Sequence, residues 1–192
     1  MSSGGESRRS ILKVSSRGGE IRRSRVFFAL WPDDDVRDAL SALARVAQAQ
    51  CGGRATVREK IHLTLFFAGD VESSRIGVLE AAAGALRTAP FDLVLDCLAH
   101  WRHDHIVWAG ASACPAALAS LAAGLKAALA RAGVHGEERP YAPHITLVRN
   151  TVRAPAGLRF PPCAWRAREF VLVESVAIAG GVRYDVLARW PL

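Results

Sequence analysis

Two short segments of the chain share one pattern. Residues 61–67 read Ile-His-Leu-Thr-Leu-Phe-Phe, and residues 143–149 read Pro-His-Ile-Thr-Leu-Val-Arg. Each contains His-aliphatic-Thr-Leu, which pairs His62 with Thr64 and His144 with Thr146. On a β-strand, residues i and i+2 project to the same face. Each histidine therefore shares a face with its threonine, while the aliphatic residues between and after them face the other way. Imidazole, with an ordinary pKa of about 6.5, accepts or donates a proton near neutrality. Two imidazoles facing one cleft supply a base to activate a nucleophile and an acid to protonate a departing oxygen. The transition state of phosphodiester cleavage gathers charge on the non-bridging oxygens, and donors aimed there stabilise it. Thr64, Thr146 and Arg149 are the candidate donors. The set lacks the acidic third member of a Ser-His-Asp triad. One His-x-Thr alone would read as ordinary strand structure. Two copies with matching aliphatic flanks, each opening an apolar strand, read as a site suited to acid–base cleavage of a phosphodiester.

The elements that must position these residues follow from periodicity and turn signals. Order is expected to begin with an apolar strand at Arg25–Trp31, closed by Pro32. Asp33, Asp34 and Asp35 provide a cap and an acidic first turn for a helix. Val36, Leu40, Leu43, Ala44 and Ala47 form its apolar face, and Gly52-Gly53 stop it. A strand is expected over Ile61–Ala68, then a helix from Ser73-Ser74 to about Leu86. Alternation over Phe91–Leu98 predicts one strand, with His105–Ala111 as its hairpin partner. Pro115 starts a helix that Gly133 ends, and a strand comes next over His144–Val148. The end reads as a hairpin, Phe170–Ala179 and Val182–Trp190 about Gly180-Gly181. This mixture predicts an α+β fold. We expect two pseudo-symmetric lobes of antiparallel sheet flanked by helices, around a central cleft to which each lobe brings one His-x-Thr.

Composition bounds the rest. A chain of 192 residues with 51% hydrophobic residues can bury a sizeable core. Its apolar runs are too short to span a bilayer, and no secretory leader pattern is visible, so a cytoplasmic protein without membrane association is expected. The formal charge of +7 is unevenly spread. Arg8, Arg9, Lys13, Arg17, Arg22, Arg23 and Arg25 are opposed in that region only by Glu6 and Glu20. Residues 1–24 thus read as a disordered basic tail, and residues 25–192 as a nearly charge-balanced domain. High pI alone therefore does not mark the domain as a nucleic-acid binder. Cys51, Cys97, Cys114 and Cys163 form no C-x-x-C pair, which argues against a zinc ribbon or a redox dithiol.

Other chemistry-bearing residues have plainer readings. The run His100-Trp-Arg-His103-Asp104-His105 could hold a divalent metal, but its spacing converges no ligand set and reads as an exposed hairpin turn. Trp31 and Phe28 read as core. Trp101, Trp108, Trp165 and Trp190 lack the basic interleaving of a single-strand stacking platform. Arg58 and Lys60 precede the first motif and read as surface charge. Tyr141, just before the second motif, is a candidate for stacking on a nucleobase.

Taken together, these segments resemble the two-histidine (2H) phosphoesterase superfamily, and within it the RNA 2',3'-cyclic phosphodiesterase family, also called 2'-5' RNA ligases. The resemblance extends over residues 25–192. It rests on Arg25-Val-Phe-Phe-Ala-Leu-Trp-Pro32, on Glu59-Lys-Ile-His-Leu-Thr-Leu-Phe-Phe-Ala-Gly-Asp-Val71, on Arg139-Pro-Tyr-Ala-Pro-His-Ile-Thr-Leu-Val-Arg149, on Glu174-Ser175 and on the ending Tyr184–Leu192. It implies hydrolysis of an RNA or nucleotide 2',3'-cyclic phosphate end to a 2'-phosphate, with no metal and no cofactor. By this resemblance His62 is the general acid on the leaving O3' and His144 the general base on water. Thr64, Thr146 and Arg149 hold the phosphate. Two positions depart from the family pattern. Ala55-Thr56-Val57 stands where an aromatic residue is frequent, and Tyr141 stands where Phe is usual. A monomer acting on RNA or nucleotide ends is expected. The alternatives are a reversible 2'-5' RNA ligase, which runs the same acid and base backwards, and a non-catalytic RNA-binding domain of the same fold.

Overall fold

The computed structural model describes residues 22–136 and 139–192. Among these residues, ten strands and three α-helices are arranged in the order β1 (Arg23–Leu30), α1 (Asp34–Cys51), β2 (Arg54–Ala55), β3 (Leu63–Glu72), α2 (Ile76–Gly84), β4 (Phe91–Leu95), β5 (Cys97–Trp101), β6 (Ile106–Gly110), α3 (Ala116–Arg131), β7 (Ile145–Arg149), β8 (Cys163–Ala167), β9 (Glu169–Ile178) and β10 (Gly181–Pro191). Every strand pairing is antiparallel. One sheet has the order β10-β9-β1-β3, a second has β2-β7-β6-β5, and β4 pairs with β8 in a two-stranded ribbon. This is the expected α+β architecture, with one His-x-Thr segment entering each four-stranded sheet.

Local chemistry explains the elements. The Asp33 side chain accepts from the Val36 N–H at 3.2 Å and caps α1. Val36, Leu40, Leu43, Ala44, Ala47 and Cys51 form its buried face. Helix α1 packs on β7 of the second sheet, and α3 packs on α2 and on β3 of the first. The main core fills the space between these helices and the sheets, with Phe28, Leu30, Leu63, Leu65, Leu79, Leu118, Leu125, Ile145 and Leu147 among its members. Among the described residues, no helix is long and apolar enough to cross a membrane.

Several boundaries differ from the sequence expectation. Strand β1 begins at Arg23, two residues before the expected strand start at Arg25, and Ser24 is already buried with its hydroxyl 2.9 Å from that of Ser73. Residues 1–21 of the basic tail lie outside the described residues. The single strand expected over Phe91–Leu98 is two strands in different sheets. Asp96 breaks it, because its carboxylate accepts from the Ser112 N–H at 2.7 Å and the Ser112 hydroxyl at 2.6 Å. The part before Asp96 pairs with β8, which the sequence pattern does not signal, and the part after it pairs with β6. The helix expected from Ser73 starts as a short 3-10 turn and is α-helical only over Ile76–Gly84. Both motif strands begin one residue after their histidine, at Leu63 and Ile145.

The turn from α1 to β2 runs directly against the second motif strand. Gly53 has φ +83°, and a Cβ there would lie 2.4 Å from the Arg149 carbonyl oxygen and 2.8 Å from that of Asn150. Both obstacles are backbone, so only glycine fits the approach that lets β2 pair with β7 at Arg54 and Arg149. Gly53→Ala is expected to destabilise the fold by about 1–3 kcal/mol, read as a lower thermal midpoint, and to displace Arg149. An unchanged midpoint would show that the turn relaxes freely.

Candidate active site

The two motif strands share a departure from regular alternation. Strand β3 reads buried, half-buried, buried, buried, exposed over Leu63-Thr64-Leu65-Phe66-Phe67, and β7 repeats that order over Ile145-Thr146-Leu147-Val148-Arg149. The cause is a β-bulge directly after each threonine. On β3, Thr64 pairs with Ala29 and Phe66 with Phe28, leaving Leu65 unpaired. On β7, Thr146 pairs with Trp108 and Val148 with Val107, leaving Leu147 unpaired. An extra residue resets side-chain parity and re-aims the side chains beyond it. In a regular strand Arg149, three residues after Thr146, would point away from it. The bulge returns it to the threonine face, since their partners Ile106 and Trp108 lie two apart on β6.

A cleft of about 1140 Å³ opens between the two sheets. Thr64 and Phe67 of β3 line one wall, and His144, Thr146 and Arg149 line the other. His62 is half-buried at the start of β3 and, unlike the other motif residues, is not among the residues lining the cleft; it lies near enough to His144 and Arg149 for their charges to act on it. The imidazoles are anchored alike. Nδ1 of His62 donates to the Lys60 carbonyl at 2.7 Å, and Nδ1 of His144 donates to the Ala142 carbonyl at 2.9 Å. A carbonyl only accepts, so in both rings Nδ1 carries the proton and Nε2 is left for proton exchange.

Aromatic rings surround both histidines. Trp31 stacks on His62 at 5.7 Å between centroids, with Phe27 at 4.8 Å and Tyr184 edge-on at 5.5 Å. Trp101 meets His144 edge-on at 4.4 Å, with Trp108 at 6.2 Å. Burial holds the His62 pKa down to about 4, opposed by the Lys60 carbonyl and reinforced by the charges of Arg149 and His144. Burial also lowers His144, again opposed by its backbone bond and reinforced by Arg149.

The remaining candidates are placed around this cleft. Tyr141 lines it, and the Tyr141 hydroxyl donates to the Thr64 carbonyl at 3.2 Å, tying the approach to the second motif onto the first. Arg58 is an ion-pair clip: its guanidinium bonds Asp34 at 2.9 Å and also Asp38, fixing the turn before His62 to α1. Lys60 lies 5.9 Å from the Tyr184 ring centroid. His100 and His105 both bond Thr151, through its hydroxyl at 2.9 Å and its carbonyl at 3.2 Å, so they brace the β5–β6 turn. Among the described residues no three His, Cys, Asp or Glu side chains converge as metal ligands. All four cysteines are free thiols. Trp31, read from sequence as core, is half-buried and stacks on His62. Phe27, Trp101 and Trp108 are neighbours of the imidazoles that the sequence reading missed. For Phe27 and Trp108 the signal is pairing with motif strands, visible only once Trp108 is known to oppose Thr146 and Phe27 to oppose Phe67, whereas Trp101 pairs with β6 and arrives from one strand further away.

Two antiparallel sheets facing each other across a cleft, each bringing one backbone-anchored His-x-Thr, define a two-histidine phosphoesterase. The 2'-5' RNA ligase superfamily description matches residues 32–177, and the chain belongs to that family. It is 33% identical over 172 residues to the RNA 2',3'-cyclic phosphodiesterase of Escherichia coli strain K12, spanning 88% of this chain and 96% of that one. It is 29% identical over 182 residues to the Thermus thermophilus protein of the same name, spanning 88% and 90%. The crystal structure of Escherichia coli LigT complexed with 3'-AMP superposes with a TM-score of 0.79 at 31% identity, spanning 89% of this chain and 99% of that one.

This geometry generates two expected outcomes. Tyr141→Phe removes one bond between the motifs and is expected to cost about 0.5–1.5 kcal/mol of stability, measured by denaturant unfolding; no loss would mean the bond is not made. The second outcome concerns pH. Because the folded His62 pKa of about 4 lies below the ordinary 6.5, the unfolded chain binds more protons between those values. Stability therefore rises with pH across that window and is fully present above it. The thermal midpoint should fall on acidification from pH 7 to pH 4, and fall less in His62→Asn.

Proposed function

We propose that this protein hydrolyses the 2',3'-cyclic phosphate of RNA or nucleotide ends to a 2'-phosphate. The observation that carries this reading is the doubled anchoring of the imidazoles: two Nδ1–H groups held by backbone carbonyls two residues back, each with a threonine two residues on. The names of the relatives support the same substrate class.

In this reading His144 Nε2 takes a proton from water as the water oxygen bonds to phosphorus. The P–O3' bond breaks, and His62 Nε2 gives its proton to O3'. The product keeps the phosphate on O2'. Each histidine ends in the other's starting state, and proton exchange with solvent resets them. Thr64, Thr146 and Arg149 hold the non-bridging oxygens while charge builds there. With both pKa values lowered, the imidazoles of the free protein are neutral at pH 7. The anionic cyclic phosphate favours the protonated form of one of them, so substrate itself loads the acid. The aromatic rings packed against both imidazoles lower the local dielectric and strengthen these interactions.

The test is hydrolysis of an oligoribonucleotide ending in a 2',3'-cyclic phosphate, with EDTA present. His62→Ala and His144→Ala should each lower kcat by about 10²–10⁴-fold. Equal activity in the variants would refute the mechanism. With sulfur replacing the bridging O3', the leaving group needs little protonation. The His62→Ala defect should then shrink while that of His144→Ala persists; the reverse would exchange the two roles.

A further inference from the structure

Three hydrogen bonds fasten the stem of the β5–β6 turn to Thr151, two residues beyond Arg149. The Thr151 N–H donates to the His105 carbonyl at 3.0 Å, the His105 Nδ1–H donates to the Thr151 carbonyl at 3.2 Å, and His100 Nε2 bonds the Thr151 hydroxyl at 2.9 Å. They hold His105 in the left-handed region, with φ +52°, where the turn rejoins β6. The tip of the turn, Arg102-His103-Asp104, is exposed and lines the same cleft as the second motif.

Charge around that cleft is lopsided. Arg102, Lys126, Arg139 and Arg149 line it, and Asp104 is the one carboxylate among the described lining residues. The sequence from residue 25 onward is nearly balanced, so the cleft concentrates positive charge. Elsewhere, Arg37, Arg58, Arg166, Arg183 and Arg189 each pair with a carboxylate. Arg102 pairs with none among the described residues. The two His-x-Thr pairs and Arg149 account for one phosphate, and Arg102 lies beyond them.

Sheet pairing sets how far beyond. Ile106 pairs with Arg149 on one side and with Trp101 on the other. Residues directly opposite in a sheet share a face, and all three line the cleft. Trp101 therefore stands two strand spacings from Arg149, about 10 Å at the backbone, and Arg102 is the next residue. In an RNA end, one ribose and its C5' separate the terminal 2',3'-cyclic phosphate from the phosphodiester on its 5' side. Two long arginine side chains rooted that far apart bracket this length.

We propose that Arg102 binds the phosphodiester on the 5' side of the reacting nucleotide, so that the cleft selects the end of an RNA chain over a mononucleotide. The inference rests on the cyclic phosphodiesterase reading and adds which further part of the chain is recognised. A guanidinium presents parallel N–H donors that match the two non-bridging oxygens of a diester. The bonds to Thr151 fix the turn that carries Arg102 relative to Arg149, so the two phosphate contacts keep their spacing. His100 and His105 thereby serve as positioning residues for a phosphate contact.

The experiment uses three substrates with one reacting group: a nucleoside 2',3'-cyclic phosphate, a dinucleotide ending in that cyclic phosphate, and the same dinucleotide with an uncharged methylphosphonate linkage. Wild type, Arg102→Ala and Arg102→Lys are measured, with thermal midpoints confirming that each folds. Wild type should cleave the diester dinucleotide with a kcat/KM about 3- to 10-fold above that of the methylphosphonate, chiefly through KM. Arg102→Ala should abolish that difference and cleave the mononucleotide as wild type does, and Arg102→Lys should keep part of the difference. No discrimination in wild type, discrimination that survives in Arg102→Ala, or an equal loss on all three substrates would overturn the subsite. If wild type cleaves none of the three, the cyclic phosphodiesterase reading is what has failed. The subsite is then judged by calorimetry, using dinucleotides that end in a 2'-phosphate and carry either linkage. Tighter binding of the diester that disappears in Arg102→Ala supports it, and its absence in wild type or persistence in that variant overturns it.

Discussion

One unpaired leucine after each threonine is the constraint on which this site depends. A strand that packs apolar residues on one face and turns polar groups to a cleft on the other has a strict two-residue alternation. Under that rule a side chain three residues beyond the threonine belongs to the core face. Leu65 and Leu147 break the rule at matching places, so the strand buries two apolar residues in succession and then returns to the cleft. The core gains a continuous apolar row, Leu63-Leu65-Phe66 in one sheet and Ile145-Leu147-Val148 in the other. The cleft gains a third group per strand.

The second constraint is how the two strands are held at a fixed spacing. The lobes do not correspond to halves of the chain. After β1 in the first sheet the chain passes to α1 and β2 beside the second, returns for β3, crosses again for β5 and β6, and packs α3 back on β3 before entering β7. Arg58 fastens the segment before His62 to α1, Thr151 fastens the β5–β6 turn to the end of β7, and Tyr141 reaches across to the Thr64 backbone. Rigid placement of this kind is what acid–base chemistry at a single phosphate requires, because small displacements of reacting groups cost much of the rate.

The fold class and the motif pairs are legible in the sequence because they rest on local patterns: hairpin turns, helix caps, and a tetrapeptide written twice. The capped helix α1 and the terminal β9–β10 hairpin match the sequence reading closely. What the sequence hides is non-local. Asp96 looks like one polar position in an alternating strand, and only its bonds to Ser112 reveal a break between sheets. Strand β2 is two residues long and exists by virtue of its partner β7. The aromatic surroundings of the histidines come from strands far apart in sequence, so Trp31 reads as core and Trp101 as incidental. Arg149 is visible in the sequence as a cation near the second motif. The physical reason it reaches the cleft is the bulge at Leu147, which alternation alone would deny.

The central claim is that both imidazoles serve one phosphate, each with Nδ1 protonated and Nε2 free. Its most direct test is a nuclear magnetic resonance titration of the histidine ring nitrogens, without ligand and then with a nucleoside 2'-monophosphate. The account predicts that His62 and His144 both titrate below the ordinary imidazole range in the free protein, with His62 lower. It further predicts that both move upward together when the phosphate binds, with Nδ1 protonated throughout. A response from only one histidine, or a neutral ring with its proton on Nε2, would contradict a shared two-histidine site.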